Sequence, residues 1–349
     1  MVEVVRVALL GYGLAGRWFH APLLKATDGM RVDAVVTGSA ERAAAARADF
    51  GGVRVLADVD EVFADPEAFD LVVVATANVA HVPQALRALE CGLHVVVDKP
   101  VAATVAEFDR LVEAAATADR QLMVFQNRRW DGDFLTLLDV LRNERIGRVH
   151  RFESRFERWR PDRGAGWRES PAPEQHGGVL LDLGAHLVDQ ALLALGPAES
   201  VYAERQVVRP GSGSDDDAFV AINHRGGAHS HLWLSAVAAE QGHRFRVLGE
   251  AGAFVVDGLD PQEDALRSGA VPGPGWCVET RQAQLVNRSG VAADHPLTLG
   301  DWAAFYRGVR DACRGEAPAP VSTGSVRAAV AVLEAAGHSA ADGGVVPLP

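Results

Sequence analysis

The chain has 349 residues, 48% of them apolar and 23% charged, proportions of a folded globular protein that exclude disorder, collagen and coiled coil as the dominant class. Its length fits two domains or one large one, with a core that needs no disulfide or metal staple. Lys and Arg number 34 against 46 Asp and Glu, a net charge of −12, which argues against nucleic-acid binding while leaving room for a local basic pocket.

Cys91, Cys277 and Cys313 are widely spaced and form no CxxC pair. This favours reduced thiols in a cytoplasmic protein over a disulfide framework, and no metal site is expected. The apolar start carries Glu3 and leads into a glycine turn, so it reads as a first strand and not as a signal peptide. No stretch approaches 18 uncharged apolar residues, and no membrane span is expected.

Residues 4–10 form an apolar strand ending at Gly11, and a helix follows from about Gly13 to Thr27. Segment 32–37 is a second strand, Ala-rich 40–50 a helix by propensity, 53–56 a third strand and 58–64 a helix. LVVVATA (71–77) is a continuous β-branched run suited to a central strand buried on both faces. An amphipathic helix closed by Gly92 comes next, then strand 94–100 ended by Pro100, a helix capped by Thr104, and strand 122–127. The alternation predicts an α/β, doubly wound parallel sheet over about the first 125 residues.

The rhythm then changes. Segments 149–158, 201–209, 218–225, 228–236, 243–249 and 253–257 are strand-like and joined by short turns, which predicts an antiparallel sheet. One helix, about 178–195, interrupts it. Segment 259–300 reads as an ordered loop region, and two helices, 301–314 and 322–340, close the chain. The division is therefore 1–125 and 126–349, with the closing helices free to pack back on the first part. Asp215-Asp216-Asp217 reads as an exposed hairpin turn, and His224, His229 and His231 as a strand face and not a metal site.

Four features carry chemistry. Gly11-Tyr12-Gly13-Leu14-Ala15-Gly16 is a GxGxxG between a predicted strand and a predicted helix, where glycines let backbone amides approach a pyrophosphate. No carboxylate stands at the tip of strand two. Thr37, Ser39 and Arg42 stand there or just beyond, which favours a 2′-phosphate and NADP over NAD, unless Arg42 is simply solvated and Glu41 turns inward. Thr76, Asn78 and His81, at the next strand end and helix start, are further candidate cofactor contacts. Asp98-Lys99-Pro100 ends a buried strand, where an ammonium can stabilise developing charge; by itself Lys99 reads equally as a side chain snorkelling to solvent. In Asp182-Leu183-Gly184-Ala185-His186 the acid and the imidazole are four apart and share a helix face if helical, as an acid–base couple needs; taken alone, a surface pair is the commoner case. Asn127-Arg128-Arg129-Trp130, Trp159-Arg160 and Trp167-Arg168 suit a polyol or phosphate site, or an interface.

Together, a GxGxxG near the start, a [DE]KP at a strand end and a DxGxH on a later helix resemble the Gfo/Idh/MocA oxidoreductase family over essentially the whole chain. GYGLAGRWFHAPLL, NRRWDGDFLT, WRPDRGAGWRE, LLDLGAHLVDQ and GLDPQEDALRSG are most similar to the branch with NADP-dependent scyllo-inositol dehydrogenases. The resemblance implies an NAD(P)-binding Rossmann domain, then an α+β substrate domain whose large, mostly antiparallel open sheet builds a dimer or tetramer. It implies NADP or NAD and a sugar- or inositol-like substrate. Lys99 takes the place of the family's lysine against the reacting hydroxyl, Asp182 of the aspartate that binds a substrate hydroxyl and steadies the histidine, and His186 of the proton acceptor. Asn127 falls where substrate or nicotinamide is contacted, Trp159 is a candidate substrate contact, and Trp167 and Arg168 match a cofactor-touching loop. Asp98, a candidate cofactor contact beside Lys99, stands where Glu is commoner. The rivals are a glycosidase with tightly held NAD and no net redox, and a dinucleotide-sensing regulator.

Overall fold

The computed structural model describes residues 4–162, 176–273 and 275–349. Six strands, β1 (Val5–Leu10), β2 (Met30–Val36), β3 (Arg54–Leu56), β4 (Leu71–Val74), β5 (His94–Val97) and β6 (Leu122–Val124), form one sheet in the order β3-β2-β1-β4-β5-β6. Every neighbouring pair is parallel, which is the doubly wound arrangement with its switch point between β1 and β4. The β-branched runs bury both faces: every residue of β4, and Val95 to Val97 of β5, is buried, as helices on both sides require.

The connecting helices are α1 (Ala21–Lys25), entered through a π-type turn over Gly16–His20, α2 (Ala40–Asp49), α3 (Asp60–Phe63), α4 (Asn78–Glu90) and α5 (Val105–Ala118). Ser39 caps α2, and Thr104 with Glu107 forms a full capping box on α5. Strands β4 and β6 stop three residues earlier than their apolar runs suggest. Residues 75–77 therefore form a loop at the sheet's carboxyl edge, and Asn127 opens a 3-10 turn, Asn127–Trp130; this frees backbone and side chains where ligands bind in such sheets.

The second sheet has nine strands: β7 (Val149–Glu157), β8 (Ala198–Gln206), β9 (Asp217–His224), β10 (His229–Ser235), β11 (Phe245–Gly249), β12 (Gly252–Val256), β13 (Gln282–Val286), β14 (Ala292–Pro296) and β15 (Val346–Pro347), in the order β14-β13-β12-β11-β7-β10-β9-β8-β15. All its pairs are antiparallel except β7 with β10. The remaining helices are α6 (Gly132–Arg142), α7 (Val179–Asp182), α8 (Gly184–Leu195), α9 (Gln262–Arg267), α10 (Ala303–Cys313) and α11 (Thr323–Asp342).

Several elements differ from the sequence expectation. The single helix over 178–195 is two, broken at Leu183. Helix α6 was missed, although Phe134, Leu137, Leu138 and Leu141 recur at helical spacing. Segment 259–300 is not all loop: it holds α9 and the β13–β14 hairpin. Asp215–Asp217 is no exposed turn, since Asp216 is buried with its carboxylate on Arg209 and Asp215 accepts from the Leu180 amide at 2.8 Å.

Apolar side chains form two clusters, one per sheet. Helix α10 sends Phe305, Tyr306 and Val309 into the first. Helix α11 serves both, with Val326 and Val330 in the first and Val332, Leu333 and Ala336 in the second. Among the described residues no helix is long and apolar enough to cross a membrane.

Candidate active site

Two clefts meet at Leu14 and Ala15, which line both. The first lies at the sheet switch point, between Gly11, Gly13, Thr37, Arg42 and Thr76. Its glycines are dictated by space. Gly11 has φ +92°, and a Cβ there would lie 2.6 Å from the Ala75 carbonyl oxygen; a Cβ on Gly16 would lie 2.0 Å from the Gly11 oxygen. Gly16→Ala is expected to destabilise the fold by about 1–3 kcal/mol, the cost of overpacking, and to abolish dinucleotide binding, as thermal melting and a cofactor titration would report. Above Gly13 the space is open: a Cβ there would meet only Arg42 Nη1, at 3.9 Å.

A dinucleotide fits this cleft. The glycine loop opens the helix begun at Leu14, Arg42 overhangs the loop, and no carboxylate is among the cleft's lining residues, so nothing there repels phosphate. Ser39 is spent as the α2 cap, accepting from the Arg42 amide at 3.4 Å, and thereby sets the turn that carries Arg42. Thr76 donates to Gln84 Oε1 at 2.8 Å.

Two of the expected cofactor contacts lie elsewhere. His81 does not line the cleft: it is 1% exposed, with Nδ1 2.8 Å from the Pro100 oxygen and Nε2 3.3 Å from the Thr76 oxygen. Burial lowers its pKa, and its ring ties the ends of β4 and β5 together. Asn78 turns away to donate to the His176 carbonyl at 2.8 Å. Trp167 and Arg168 lie outside the described residues.

The second cleft, of about 250 Å³, lies between the two sheets. Asp98, Lys99, Asn127, Asp182 and His186 all line it. Asp98 Oδ1 accepts from the Lys99 amide at 2.9 Å, and Lys99 Nζ donates to Asp182 Oδ1 at 2.6 Å and to the Asp182 carbonyl at 2.9 Å. The break at Leu183 changes the expected couple. Asp182 ends α7 and reaches Lys99, and no hydrogen bond joins it to His186, in the first turn of α8, among the described residues. His186 is buried, with no hydrogen-bond partner for Nδ1 among the described residues. Burial, then the charges of Lys99, Arg128, Arg244 and Arg158, holds its pKa well below the ordinary imidazole value.

The frame around this cleft is ionic. Arg129 makes two bonds to Asp189, at 2.8 and 2.5 Å, and Gln190 donates to the Arg128 carbonyl at 2.8 Å; the turn carrying Asn127 is thus fixed to the helix carrying His186. Trp159 is 55% exposed and is not among the residues lining the cleft, whereas Arg158 and Arg160 on either side are, as strand-like alternation dictates. Arg158, Glu263 and Arg267 were missed. The alternation around Trp159 was a signal for Arg158; Glu263 and Arg267 fall in GLDPQEDALRSG, one of the stretches that carry the resemblance, but within a segment read as loop nothing singled out either side chain.

Fold and clefts define a dinucleotide-binding protein built as a Rossmann sheet joined to a second, mostly antiparallel sheet. Residues 5–126 match the family model "Oxidoreductase family, NAD-binding Rossmann fold" and residues 134–255 match the "GFO/IDH/MocA C-terminal domain"; the chain belongs to the GFO/IDH/MocA oxidoreductase family. It is 38% identical to the uncharacterized oxidoreductase YdgJ of Escherichia coli over 92% of each chain. It is 30% identical to the scyllo-inositol 2-dehydrogenase (NADP(+)) IolW of Bacillus subtilis, over 97% of this chain and 94% of that one. The solved structure of YPO2259 from Yersinia pestis superposes with a TM-score of 0.90 at 37% identity, covering 100% of this chain and 98% of that one.

Proposed function

We propose that this protein oxidises a secondary alcohol of a cyclic polyol or sugar, reversibly, with NADP preferred over NAD. The observation that carries the reading is the convergence, in one cleft adjoining the glycine loop, of Lys99 from the first sheet with Asp182 and His186 from the second half of the chain. In this reading residues 1–125 hold the cofactor and 126–349 the substrate. The name of IolW supports an inositol-like substrate and NADP.

Arg42, Thr37 and the glycine loop would hold the dinucleotide. When bound, its nicotinamide supplies the acceptor for the hydride leaving the alcohol carbon. The chain does the rest. Lys99 hydrogen-bonds the reacting oxygen and stabilises the negative charge that develops on it. His186, neutral at ordinary pH, takes the hydroxyl proton at Nε2. Asp182 holds the Lys99 ammonium in place and accepts a hydrogen bond from a neighbouring substrate hydroxyl. Asn127 presents its amide to the same space.

We also read the protein as a cytoplasmic homodimer or homotetramer. The second sheet leaves Phe219 and Trp233 half-buried on its outer face, ring centroids 5.3 Å apart, an aromatic surface suited to a second copy.

The test is a panel of inositols and aldoses assayed with NADP and with NAD. Turnover of a polyol with NADP, accompanied by reduced-cofactor accumulation and no sugar release, is the expected result. In the same assay Arg42→Ala is expected to weaken NADP about 10–100-fold, the scale of one lost charge-assisted contact, and NAD far less. Equal losses for both would remove Arg42 from the 2′-phosphate.

A further inference from the structure

The cleft that holds Lys99 and His186 has a second end that the hydride-transfer reading leaves unused. Glu263, on α9, is one carboxylate shared by three guanidinium groups. Arg128 Nη2 stands 2.6 Å from it, Arg158 Nη2 at 3.0 and 3.2 Å from its two oxygens, and Arg267 Nη1 at 3.4 Å. Arg128 has a second counter-ion, Asp131, at 3.2 Å. Arg160 lines the same cleft and is exposed, and its guanidinium makes no hydrogen bond or ion pair among the described residues. With Arg128 matched to Asp131 and Asp182 to Lys99, the remaining cations Arg158, Arg160 and Arg267 face the one carboxylate of Glu263 among the described residues at this end of the cleft, an excess of two positive charges.

The arrangement is built and held. The guanidinium groups of Arg128 and Arg158 both pack on the Phe156 ring, with their carbons 4.6 and 4.7 Å from its centroid. Arg158 is mostly buried, with 23% of its side chain exposed; burial lowers its pKa, against the opposing pull of the Glu263 carboxylate and with the like charges of Arg128 and Arg160 adding to it. A guanidinium offers donors and no acceptor. A neutral hydroxyl, both donor and acceptor, is best met by a mixed lining. An end whose spare groups are all guanidinium donors is matched by an acceptor-only, negatively charged group, bound through two parallel bonds. The cofactor's own phosphates do not answer to it, because the glycine loop and Arg42 line the other cleft and these arginines do not.

We propose that Arg158, Arg160 and Arg267 form a subsite for an anionic substituent, so that the substrate is a sugar or polyol bearing a carboxylate or a phosphate ester. The proposal rests on the hydride-transfer reading of this cleft and narrows its substrate class.

Titration calorimetry on the NADP-loaded full chain tests it without requiring turnover. The probes are glucose, glucuronate and glucose 6-phosphate, with the galactose series beside them. In at least one series the uronate or the phosphate is expected to bind about 10-fold or more tightly than the neutral sugar, the scale of a charge-assisted contact; which acid wins separates carboxylate from phosphate. Arg160→Ala, at an exposed position, and Arg158→Ala are each expected to erase most of that preference, and Arg160→Glu to reverse it. Equal or tighter binding of the neutral sugars, no binding of any probe, or a preference unmoved by all three variants overturns the subsite. A parallel turnover assay keeps the two readings apart. Oxidation of neutral polyols with no charge preference keeps hydride transfer and removes the subsite. Tight acid binding, with no member of a broad acid and neutral panel oxidised, keeps the subsite and removes hydride transfer.

Discussion

Lys99→Ala is expected to lower kcat for alcohol oxidation by about 10²–10⁴, the usual contribution of a group that acts on a reacting proton or its charge. The side chain is 15% exposed and its ammonium meets Asp182 through both carboxylate and carbonyl. Removing it takes away the positive charge at the point where alkoxide charge would grow. The interaction lost is one that strengthens as that charge develops, so the effect belongs to kcat and not to KM alone. Lys99→Arg is not expected to rescue it, because a planar fork cannot replace a compact ammonium held by two oxygens of one residue. NADP binding, dominated by the other cleft, is expected to change little. Steady-state kinetics with a cofactor titration would check this. A variant that melts earlier yet turns over at the wild-type rate would make Lys99 a structural ion-pair partner and nothing more.

The parts of this site that sequence makes legible are those fixed locally. The GxGxxG is readable because a strand, a tight turn and a helix must be contiguous for backbone amides to gather, and Lys99 because Pro100 and a β-branched run mark its strand end. Distant contacts were not legible. The spacing of Asp182 and His186 suggested one helix face, but the chain breaks at Leu183 and gives the carboxylate to Lys99, 83 residues away. Trp159 with Arg160 suggests a polyol or phosphate site or an interface; alternation puts Arg158 and Arg160, and not Trp159, on the cleft. Glu263 sits in a stretch that carries the family resemblance, GLDPQEDALRSG, but nothing local gives it a role: that arises only when Arg128, Arg158 and Arg267 are brought around it by tertiary structure. The parallel pairing of β7 with β10 is hidden for the same reason, since the residues between these strands include α7, α8 and two further strands of the same sheet.

His186→Asn is expected to cost a similar factor of about 10²–10⁴ in kcat, and its pH profile separates a base from a packing residue. In the wild type the imidazole is buried, and Lys99, Arg128, Arg244 and Arg158 add to the desolvation that disfavours its charged form. The sign follows directly. A base whose pKa is lowered stays in its proton-accepting form to more acidic pH, so kcat/KM for oxidation is expected to remain flat through the ordinary imidazole value of about 6.5 and to fall only below it. In His186→Asn that acidic limb should vanish along with the lost plateau. A limb centred at or above the ordinary value, or one that survives the substitution, would assign the proton to another group. A weakened base accepts a hydroxyl proton with less driving force. The cations responsible for the weakening also favour the alkoxide that the proton leaves behind, and Lys99, which lines the same cleft and contributes to the lowered His186 pKa, couples the two effects. Removing Lys99 would therefore raise the basicity of His186 and slow the reaction at once: in the Lys99→Ala variant the residual activity should show an acidic limb shifted toward neutral pH.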